Sequence, residues 1–271
     1  MSGEVVQEKN IALRDIEVAY RESGEGQPVV LIHGLAQDHR MWTAQQDELR
    51  GQRTIAYDVR GHGGTTIGDA DGTLRQLGED LVALLEEVGP ATCVGFSLGG
   101  TVALWAAAAR PDLVPDLVVL ATSSVVGSAA AGFFADRIAL FSKGDRAEIA
   151  AALREDTKAQ LGEADADLEA IVVARLQAVA DGAGYVNAAR AMAAIHDDPL
   201  NTMLETLTQP VKVISGERDR FCPRRAAEIM LEHLPNASFE ELPQLGHLLT
   251  DEDPGAVTRA IAAWLAGEER R

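Results

Sequence analysis

The stretch TCVGFSLGGTVALWAAAAR, residues 92–110, decides the fold of this chain. Its first five residues are an apolar run typical of a buried strand, and the alanine-rich part after Ser97 predicts a helix. Gly95 and Gly99 complete a G-x-S-x-G pattern at the junction, where a sharp turn would expose the serine hydroxyl. A glycine-rich turn with a helix-capping serine is the alternative interpretation of the same residues.

Further apolar runs before and after this stretch alternate with helical patterns. That alternation is typical of a mostly parallel sheet built from strand–helix–strand units, and we expect an α/β fold with flanking helices. Alternating apolar and polar residues at 11–23 predict an antiparallel pair ahead of the parallel strands. The remaining predicted strands lie at residues 28–32, 54–58, 117–121 and 211–215, and two flanking helices at 74–88 and 254–266.

The regular alternation stops between residues 123 and 207. No proline occurs between Pro115 and Pro199, and 22 of the 73 residues from 128 to 200 are alanine, so this stretch predicts a helical insertion. We therefore expect a core domain formed by residues 1–122 and 208–271, with residues 123–207 as a helical cap.

Composition narrows the possible partners. The chain has 271 residues, with 24 Lys and Arg against 42 Asp and Glu, and a net charge of −18 that opposes binding to nucleic acid or anionic lipid. No apolar run is long enough to cross a membrane, and the charged first residues do not resemble a signal peptide, so we expect a cytoplasmic protein. Cys93 and Cys222 form no metal-binding pattern, and we predict no metal or other cofactor. A homo-oligomer is left open.

The loop after residues 28–32 carries the second candidate feature, His33-Gly34-Leu35. Loops at the carboxyl ends of central strands are where α/β sheets place ligands. We expect the backbone N–H groups of Leu35 and Leu98 to form an oxyanion hole, with Ala36 as a further donor. His33 is more readily interpreted as a structural loop residue than as a catalytic base.

Two more candidates follow late in the chain. Asp219 comes after the strand at 211–215, and His247 precedes the last predicted helix. The order Ser97, Asp219, His247 is that of one known triad architecture, with serine as nucleophile, histidine as general base and aspartate as the group that orients it. An aspartate of an acidic protein can also be an ordinary solvated loop residue. The loop at His33, the serine turn, Asp219 and His247 all lie near strand ends in the expected order, which argues against this alternative.

With these features the chain resembles proteins of the α/β-hydrolase fold over essentially its whole length. Asp58-Val59-Arg60-Gly61-His62-Gly63 is similar to a D-x-R-G-H-G turn frequent in this family, and Met41-Trp42 follows the oxyanion loop as it does there. The resemblance is to the branch of 3-oxoadipate enol-lactonases, small carboxylesterases, perhydrolases that act as cofactor-free haloperoxidases, and meta-cleavage C–C hydrolases. It implies that the turn is structural, so His62 is not catalytic. Serine at position 97 disfavours the dehalogenases and epoxide hydrolases of this fold, which have aspartate there.

We therefore expect a serine hydrolase that cleaves a small ester or lactone through an acyl-enzyme on Ser97. A C–C bond hydrolase or a perhydrolase would use the same residues, and a hydrolase-like ligand receptor is the non-enzyme alternative. The Phe133-Phe134 pair could either line the pocket or anchor the insertion to the core. The predicted pocket is apolar, with Gly34, Ala36, Trp42, Phe96, Phe133, Phe134 and Leu248 as its candidate residues, beside Leu98.

Overall fold

A computed structural model describes residues 7–49, 51–162 and 166–267. Within these ranges the chain forms an eight-stranded sheet with the strand order β1-β2-β4-β3-β5-β6-β7-β8. The pairs β1–β2 and β2–β4 are antiparallel, and every other neighbouring pair is parallel. The strands are β1 Gln7–Leu13, β2 Ile16–Ser23, β3 Gln27–Ile32, β4 Gln52–Tyr57, β5 Thr92–Phe96, β6 Leu117–Leu120, β7 Val211–Gly216 and β8 Ala237–Leu242.

Helices cover both faces of the sheet. After a short 3₁₀ turn at His39–Trp42, the described residues form α1 Thr43–Glu48, α2 Leu74–Val88, α3 Leu98–Ala109, α4 Ser128–Lys143, α5 Arg146–Gln160, α6 Leu168–Ala178, α7 Ala183–Ala194, α8 Asn201–Leu204, α9 Arg224–His233, α10 Leu249–Glu252 and α11 Pro254–Leu265. None of these helices combines the length and the hydropathy needed to cross a bilayer.

Strand β3 shows why the sheet has an apolar layer on each face. Side chains of a strand point alternately to opposite faces. Val30 and Ile32 accordingly belong to the core between the sheet and helices α2 and α3, while Val29 and Leu31 belong to the core on the other face with α11. A strand buried on both faces must be apolar at every position, which is the continuous apolar pattern of the central strands.

The order of the strands fixes the position of the functional loops. The chain passes from β3 outward to β4 and then crosses back over β3 to β5, so β3 and β5 are parallel neighbours at the point where the strand order reverses. Open α/β sheets place their ligands in the crevice outside the carboxyl ends of the strands at such a point. The loop that begins at His33 and the turn at Ser97 leave the sheet there side by side.

Five of the helices, α4–α8, lie between β6 and β7, where the sequence predicts a helical insertion. Asp145 and Asp167 accept hydrogen bonds from the first-turn N–H groups of α5 and α6, which accounts for where these helices begin. The division into a core and a cap stays a prediction. The first and last residues of the predicted core, 1–6 and 268–271, lie outside the described residues.

The sequence interpretation missed the edge strand β8. Its pattern ASFEEL is polar, and five of its six residues are only partly buried. A strand at the edge of a sheet has one paired side and needs no continuous apolar run, so its sequence carries a weak signal. It pairs with β7 and completes the sheet next to the loop that carries His247.

Arg60 joins the D-x-R-G-H-G turn to the rest of the fold. Its side chain is fully buried and donates to both oxygens of Asp80, at 2.7 and 2.8 Å, and to both oxygens of Asp15, each at 2.7 Å. Hydrogen bonding to Arg60 holds the pKa of Asp15 well below its ordinary value. Burial, in contrast, raises the pKa of Asp80. The turn is therefore fixed by a buried charge network rather than by its backbone alone.

We expect Arg60→Gln to lower the free energy of unfolding by about 3 kcal/mol, because the buried Asp80 carboxyl keeps only the more distant Arg14, at 3.5 Å, as a charge partner. An unpaired buried carboxyl is less costly when it is protonated, so the loss should be larger at pH 8 than at pH 5. Urea unfolding at the two pH values measures both quantities. Arg154→Gln, which breaks an exposed pair with Glu169, is the control and should change the stability by less than about 1 kcal/mol. Equal losses in the two variants would contradict the prediction.

Candidate active site

The turn between β5 and α3 presents Ser97 at the carboxyl end of the sheet. Its backbone has φ 50° and ψ −115°, a conformation that a residue with a Cβ atom adopts only under constraint. The constraint comes from both sides: the N–H of Ser97 donates to the carbonyl of Leu120 in β6 at 2.8 Å, and its own carbonyl accepts from Thr101 in α3. The side chain is thereby turned away from the sheet and stays partly exposed.

Steric limits explain the two glycines of the G-x-S-x-G pattern. A Cβ atom on Gly95 would collide with the backbone of Gly99, and one on Gly99 would collide with the carbonyl of Ile32 in β3. The helix can therefore start this close to the strand only because neither residue has a side chain. The sequence interpretation of the junction as a strained strand–turn–helix agrees with this geometry.

His247 lies between Ser97 and Asp219. Its Nε2 is 3.2 Å from Ser97 Oγ, and its Nδ1 is 2.8 Å from Asp219 Oδ2. A carboxylate can only accept a hydrogen bond, so Nδ1–H donates to Asp219 and Nε2 is left to accept the Ser97 hydroxyl proton. Both His247 and Asp219 are 4% exposed, which keeps water from competing for these bonds. The structure thus brings together the three residues that the sequence placed in loops after β5, after β7 and before the last helices.

Both oxygens of the Asp219 carboxylate are occupied. Besides the bond to His247, its Oδ1 accepts the backbone N–H groups of Phe221 and Cys222, at 2.8 and 2.9 Å. Burial acts to raise the pKa of Asp219, but the charge and hydrogen bond of His247 together with the two backbone donors hold the pKa below its ordinary value. Asp219 therefore remains a carboxylate at neutral pH and cannot rotate away from the imidazole.

The loop that carries His247 is fixed by residues from two other parts of the chain. The His247 N–H donates to the carbonyl of Gln160, at the end of α5, at 2.7 Å. The carboxylate of Glu252 accepts from the N–H groups of Gly246 and Gly162, at 3.0 and 2.9 Å. The imidazole position thus depends on the inserted helix α5, a dependence that the sequence interpretation did not include.

The backbone N–H groups of Leu98 and Leu35 are the two donors that the sequence predicts for an oxyanion. Leu98 is the first residue of α3, so its N–H points out of the helix at the positive end of the helix dipole. Within the described part of the chain, neither the Leu98 nor the Leu35 N–H donates to a protein acceptor. Both residues line the same cavity as Ser97. Two unpaired donors beside a serine hydroxyl can bind a negatively charged oxygen.

A cavity of about 70 Å³ lies over Ser97. Of the predicted pocket residues, Phe96, Phe133, Phe134 and Leu248 line it. The rings of Phe96 and Phe221 lie 5.2 and 5.6 Å from the His247 ring and form an apolar wall beside the imidazole. The full lining comprises Leu35, Gln37, Phe96, Ser97, Leu98, Phe133, Phe134, Asp156, Gln160, Arg175, Tyr185, Met192, Phe221, Cys222, His247 and Leu248.

Three of the predicted pocket residues do not line this cavity. Trp42 is completely buried and packs into the apolar layer on the α11 side of the sheet. Ala36 is buried beneath the inserted helices, against Phe141 and Tyr185. Gly34 lies behind the ring of Phe96, which a Cβ atom on Gly34 would strike. Their proximity to the oxyanion loop along the chain was misleading because the loop turns inward at a left-handed residue, Ala36, with φ 60°.

The expectation of an apolar pocket was also wrong in part. Gln37, Asp156, Gln160, Arg175 and Tyr185 give one region of the cavity polar and charged walls. Most of these residues lie on α5, α6 and α7, whose sequences have no motif that distinguishes a cavity residue from an ordinary surface charge. Only the packing of the inserted helices against the sheet assigns them to the cavity.

Two other histidines near the site are structural. His33 is buried, and its Nε2 accepts the backbone N–H of Val59 at 2.8 Å, in agreement with its sequence interpretation as a loop residue. His62 is also buried, and burial lowers its pKa to about 4. Neutral, enclosed imidazoles of this kind hold the loops together and cannot reach a substrate over Ser97.

Two groups of described residues place three potential metal-ligating atoms within 4.8 Å of one another. The first is Asp219, Cys222 and His247, where burial raises the pKa of Cys222 well above its ordinary value and so keeps the thiol protonated. The second is Asp38, His39 and Asp58. In each group a carboxylate is already hydrogen-bonded to a histidine ring, at 2.8 Å for Asp58 and His39 as for Asp219 and His247. Hydrogen bonding within the protein thus accounts for both clusters.

A mostly parallel sheet with a strained serine turn at the carboxyl edge of a central strand defines the class of α/β-hydrolase-fold proteins. The chain belongs to the alpha/beta hydrolase family, whose family model matches residues 29–260. It is similar to 3-oxoadipate enol-lactonase 2 of Acinetobacter baylyi, with 27% identity over 93% of this chain and 94% of the relative.

Solved structures agree with this assignment. A thermophilic esterase from Thermogutta terrifontis, solved with malate bound, is 29% identical and superposes with a TM-score of 0.84 over 96% of this chain and 98% of that one. The enol-lactonase from Burkholderia xenovorans superposes with a TM-score of 0.85 at 24% identity, over 95% of this chain and 100% of that one. At 24% identity, the likeness to the Burkholderia enzyme concerns the fold alone.

Proposed function

We propose that this hydrolase cleaves small carboxylic esters or lactones through an acyl-enzyme on Ser97. The observation that carries the proposal is the continuous hydrogen-bonded row from Ser97 through His247 to Asp219 at the wall of a cavity. Relatives named as an enol-lactonase and an esterase support the same reaction class. No cofactor takes part in this scheme.

Each group has one role in the proposed reaction. His247 Nε2 removes the proton of Ser97 Oγ as the oxygen attacks the substrate carbonyl, and the resulting imidazolium is stabilised by Asp219. The imidazolium then donates the proton to the departing alcohol oxygen. A water molecule, deprotonated by the same Nε2, attacks the acyl carbon, and the proton returns to Ser97 as the acid leaves.

The Leu35 and Leu98 N–H groups are the proposed donors to the oxyanion. In the ground state both lack a protein acceptor within the described residues, and a carbonyl oxygen that becomes negative gains two hydrogen bonds at the positive end of α3. Interactions of this kind strengthen as charge develops, so they lower the barrier rather than only improving binding.

We also propose that α4–α7 act as a cap that selects compact substrates. Phe133 and Phe134 come from α4, Asp156 and Gln160 from α5, and residues of α6 and α7 complete the lining. The enclosed volume of about 70 Å³ is well below the roughly 300–1,000 Å³ of pockets for drug-sized ligands. Short-chain esters and small lactones are thus the substrates of choice.

A fluorophosphonate, which reacts with activated serines, tests the proposed nucleophile directly. We expect one adduct per chain, located on the peptide that contains Ser97, because among the described residues only this hydroxyl has an imidazole acceptor and two N–H donors for the phosphoryl oxygen. Intact-protein mass spectrometry counts the adducts, and peptide mass spectrometry locates them. Ser123→Ala, at a serine after β6 whose hydroxyl bonds the Val125 carbonyl, should label like the wild type. Labelling on another residue, or none, would refute the assignment.

A further inference from the structure

Arg175, on α6, is a buried arginine, and three of its five N–H groups have no acceptor among the described residues. It is 4% exposed, and its Nη1 donates to Thr157 Oγ1 at 2.8 Å and to Gln160 Oε1 at 2.6 Å. Among the described residues, neither its Nε nor its Nη2 has an acceptor, and Nε is fully enclosed. Because Nε is enclosed, the two Nη2–H groups are the ones left to donate to an oxygen that enters the cavity.

No described carboxylate lies within ion-pair distance of this guanidinium. Asp156 shares the cavity but is paired with Arg137, whose Nε donates to it at 2.8 Å. Asp251 lies nearby with one buried oxygen lacking a hydrogen-bond partner, and burial raises its pKa to about 6. Burial lowers the pKa of Arg175, but a guanidinium stays protonated at neutral pH. A positive charge is therefore buried without a direct counter-charge, which costs free energy unless a ligand supplies one.

The position of Arg175 connects this charge to the proposed reaction. It lines the cavity over Ser97, and together with Gln37 it also lines an adjoining cavity of about 120 Å³. Gln160 links it to the base: the Gln160 side chain accepts from Arg175, while its carbonyl accepts the His247 N–H. An anion held by Arg175 would thus lie in the same enclosed space as the Ser97 hydroxyl.

We propose that Arg175 binds a carboxylate of the substrate, so that the physiological ester or lactone carries a free carboxylate separate from the bond that is cleaved. This inference rests on the proposed function. The carboxylate would accept from the unused Nη2–H groups and neutralise the buried charge. The bond that breaks then lies at the other end of a short linker, over Ser97.

A series of monomethyl dicarboxylates from malonate to adipate tests the proposal, each compared with its uncharged carboxamide of the same shape. At the best chain length, we expect kcat/KM for the carboxylate to exceed that for the carboxamide by about 10- to 150-fold, the effect of hydrogen bonds to a charged group. Arg175→Gln should bring this ratio to about 1, chiefly through a higher KM for the carboxylate. Arg154→Gln, at an exposed arginine on the neighbouring helix α5, should keep the wild-type ratio.

Two further sets of variants separate the possible outcomes. One retains the positive charge at position 175, and the other removes the proposed nucleophile Ser97. Arg175→Lys keeps the positive charge without the planar guanidinium and should recover only a small part of the ratio. In the Ser97→Ala background, calorimetry should detect binding of the best carboxylate ester, and adding Arg175→Gln should remove it. The two proposals are thus tested by different results. Hydrolysis that persists in Ser97→Ala would refute the proposed function. The change in affinity on adding Arg175→Gln decides the role of Arg175.

Two results would overturn the inference. One is a wild-type ratio near 1 at every chain length, which needs no variant and so does not depend on the folding of Arg175→Gln. The other is a ratio that Arg175→Gln leaves unchanged while circular dichroism and the melting temperature show a folded protein. In either case the buried guanidinium would serve only to connect α5 and α6 through Thr157 and Gln160.

Discussion

Replacing Ser97 with alanine should lower kcat/KM for p-nitrophenyl acetate by about 10⁵- to 10⁶-fold, to the level of the background reaction. Of the hydroxyls that the structure describes, the variant loses the one in hydrogen-bond range of His247 Nε2, and it therefore cannot form the acyl-enzyme. Stability should change little, because the side chain is partly exposed. Initial rates and a thermal melt on the same samples measure both properties.

Ser123→Ala is the matched control for this experiment. Ser123 lies just beyond β6, near the same sheet edge, and its hydroxyl is bonded to the Val125 carbonyl rather than to a histidine. We expect wild-type activity from it. If Ser97→Ala turned over the ester as fast as the wild type, a role for Ser97 as nucleophile would be excluded, and the ligand-receptor alternative would gain support.

Asp219→Asn should reduce kcat by about 10⁴-fold while leaving the fold intact. Asparagine can still accept the Phe221 and Cys222 N–H groups through its oxygen, and its amide then faces His247 Nδ1 as a donor. Nδ1 must now accept, so the ring proton moves to Nε2, which can no longer take the proton of Ser97. Burst and steady-state kinetics with the same ester measure the loss.

Asp145→Asn provides the comparison for this second variant. Asp145 accepts two backbone N–H groups at the start of α5, as Asp219 does in its loop, but it has no contact with a histidine. Asparagine caps helices as well as aspartate does, so activity and stability should both remain near the wild-type values. A loss of activity in Asp219→Asn no larger than in this control would mean that Asp219 does not orient the base.

The sequence interpretation was accurate where local chemistry decides the structure. The strand at residues 92–96 and the helix at 74–88 were predicted with the observed bounds, because continuous burial and helical periodicity are written directly in the side chains. The serine turn was recognisable for the same reason. It needs small residues at fixed positions: Gly95 avoids the backbone of Gly99, and Gly99 avoids the carbonyl of Ile32 in β3.

Predictions failed where contact depends on packing between distant segments. Trp42 follows the loop that begins at His33, yet its ring is buried in the apolar layer on the α11 side of the sheet. Arg175 is 78 residues from Ser97 and has no motif around it, yet it reaches the same cavity. Distance along the chain is a poor guide to position in a cavity, because helices α5–α7 supply cavity residues although they lie between β6 and β7 in sequence.

By itself, the sequence determined the class of fold, the serine turn and the chain order of Ser97, Asp219 and His247, since burial patterns and steric demands are local properties of the chain. Only the tertiary structure decided that these residues meet at hydrogen-bonding distance, that the cavity above them is small, and that one of its walls is charged. Those features depend on how α4–α7 pack over the sheet. Such packing is set by many weak contacts between segments far apart in sequence, and no single motif records it.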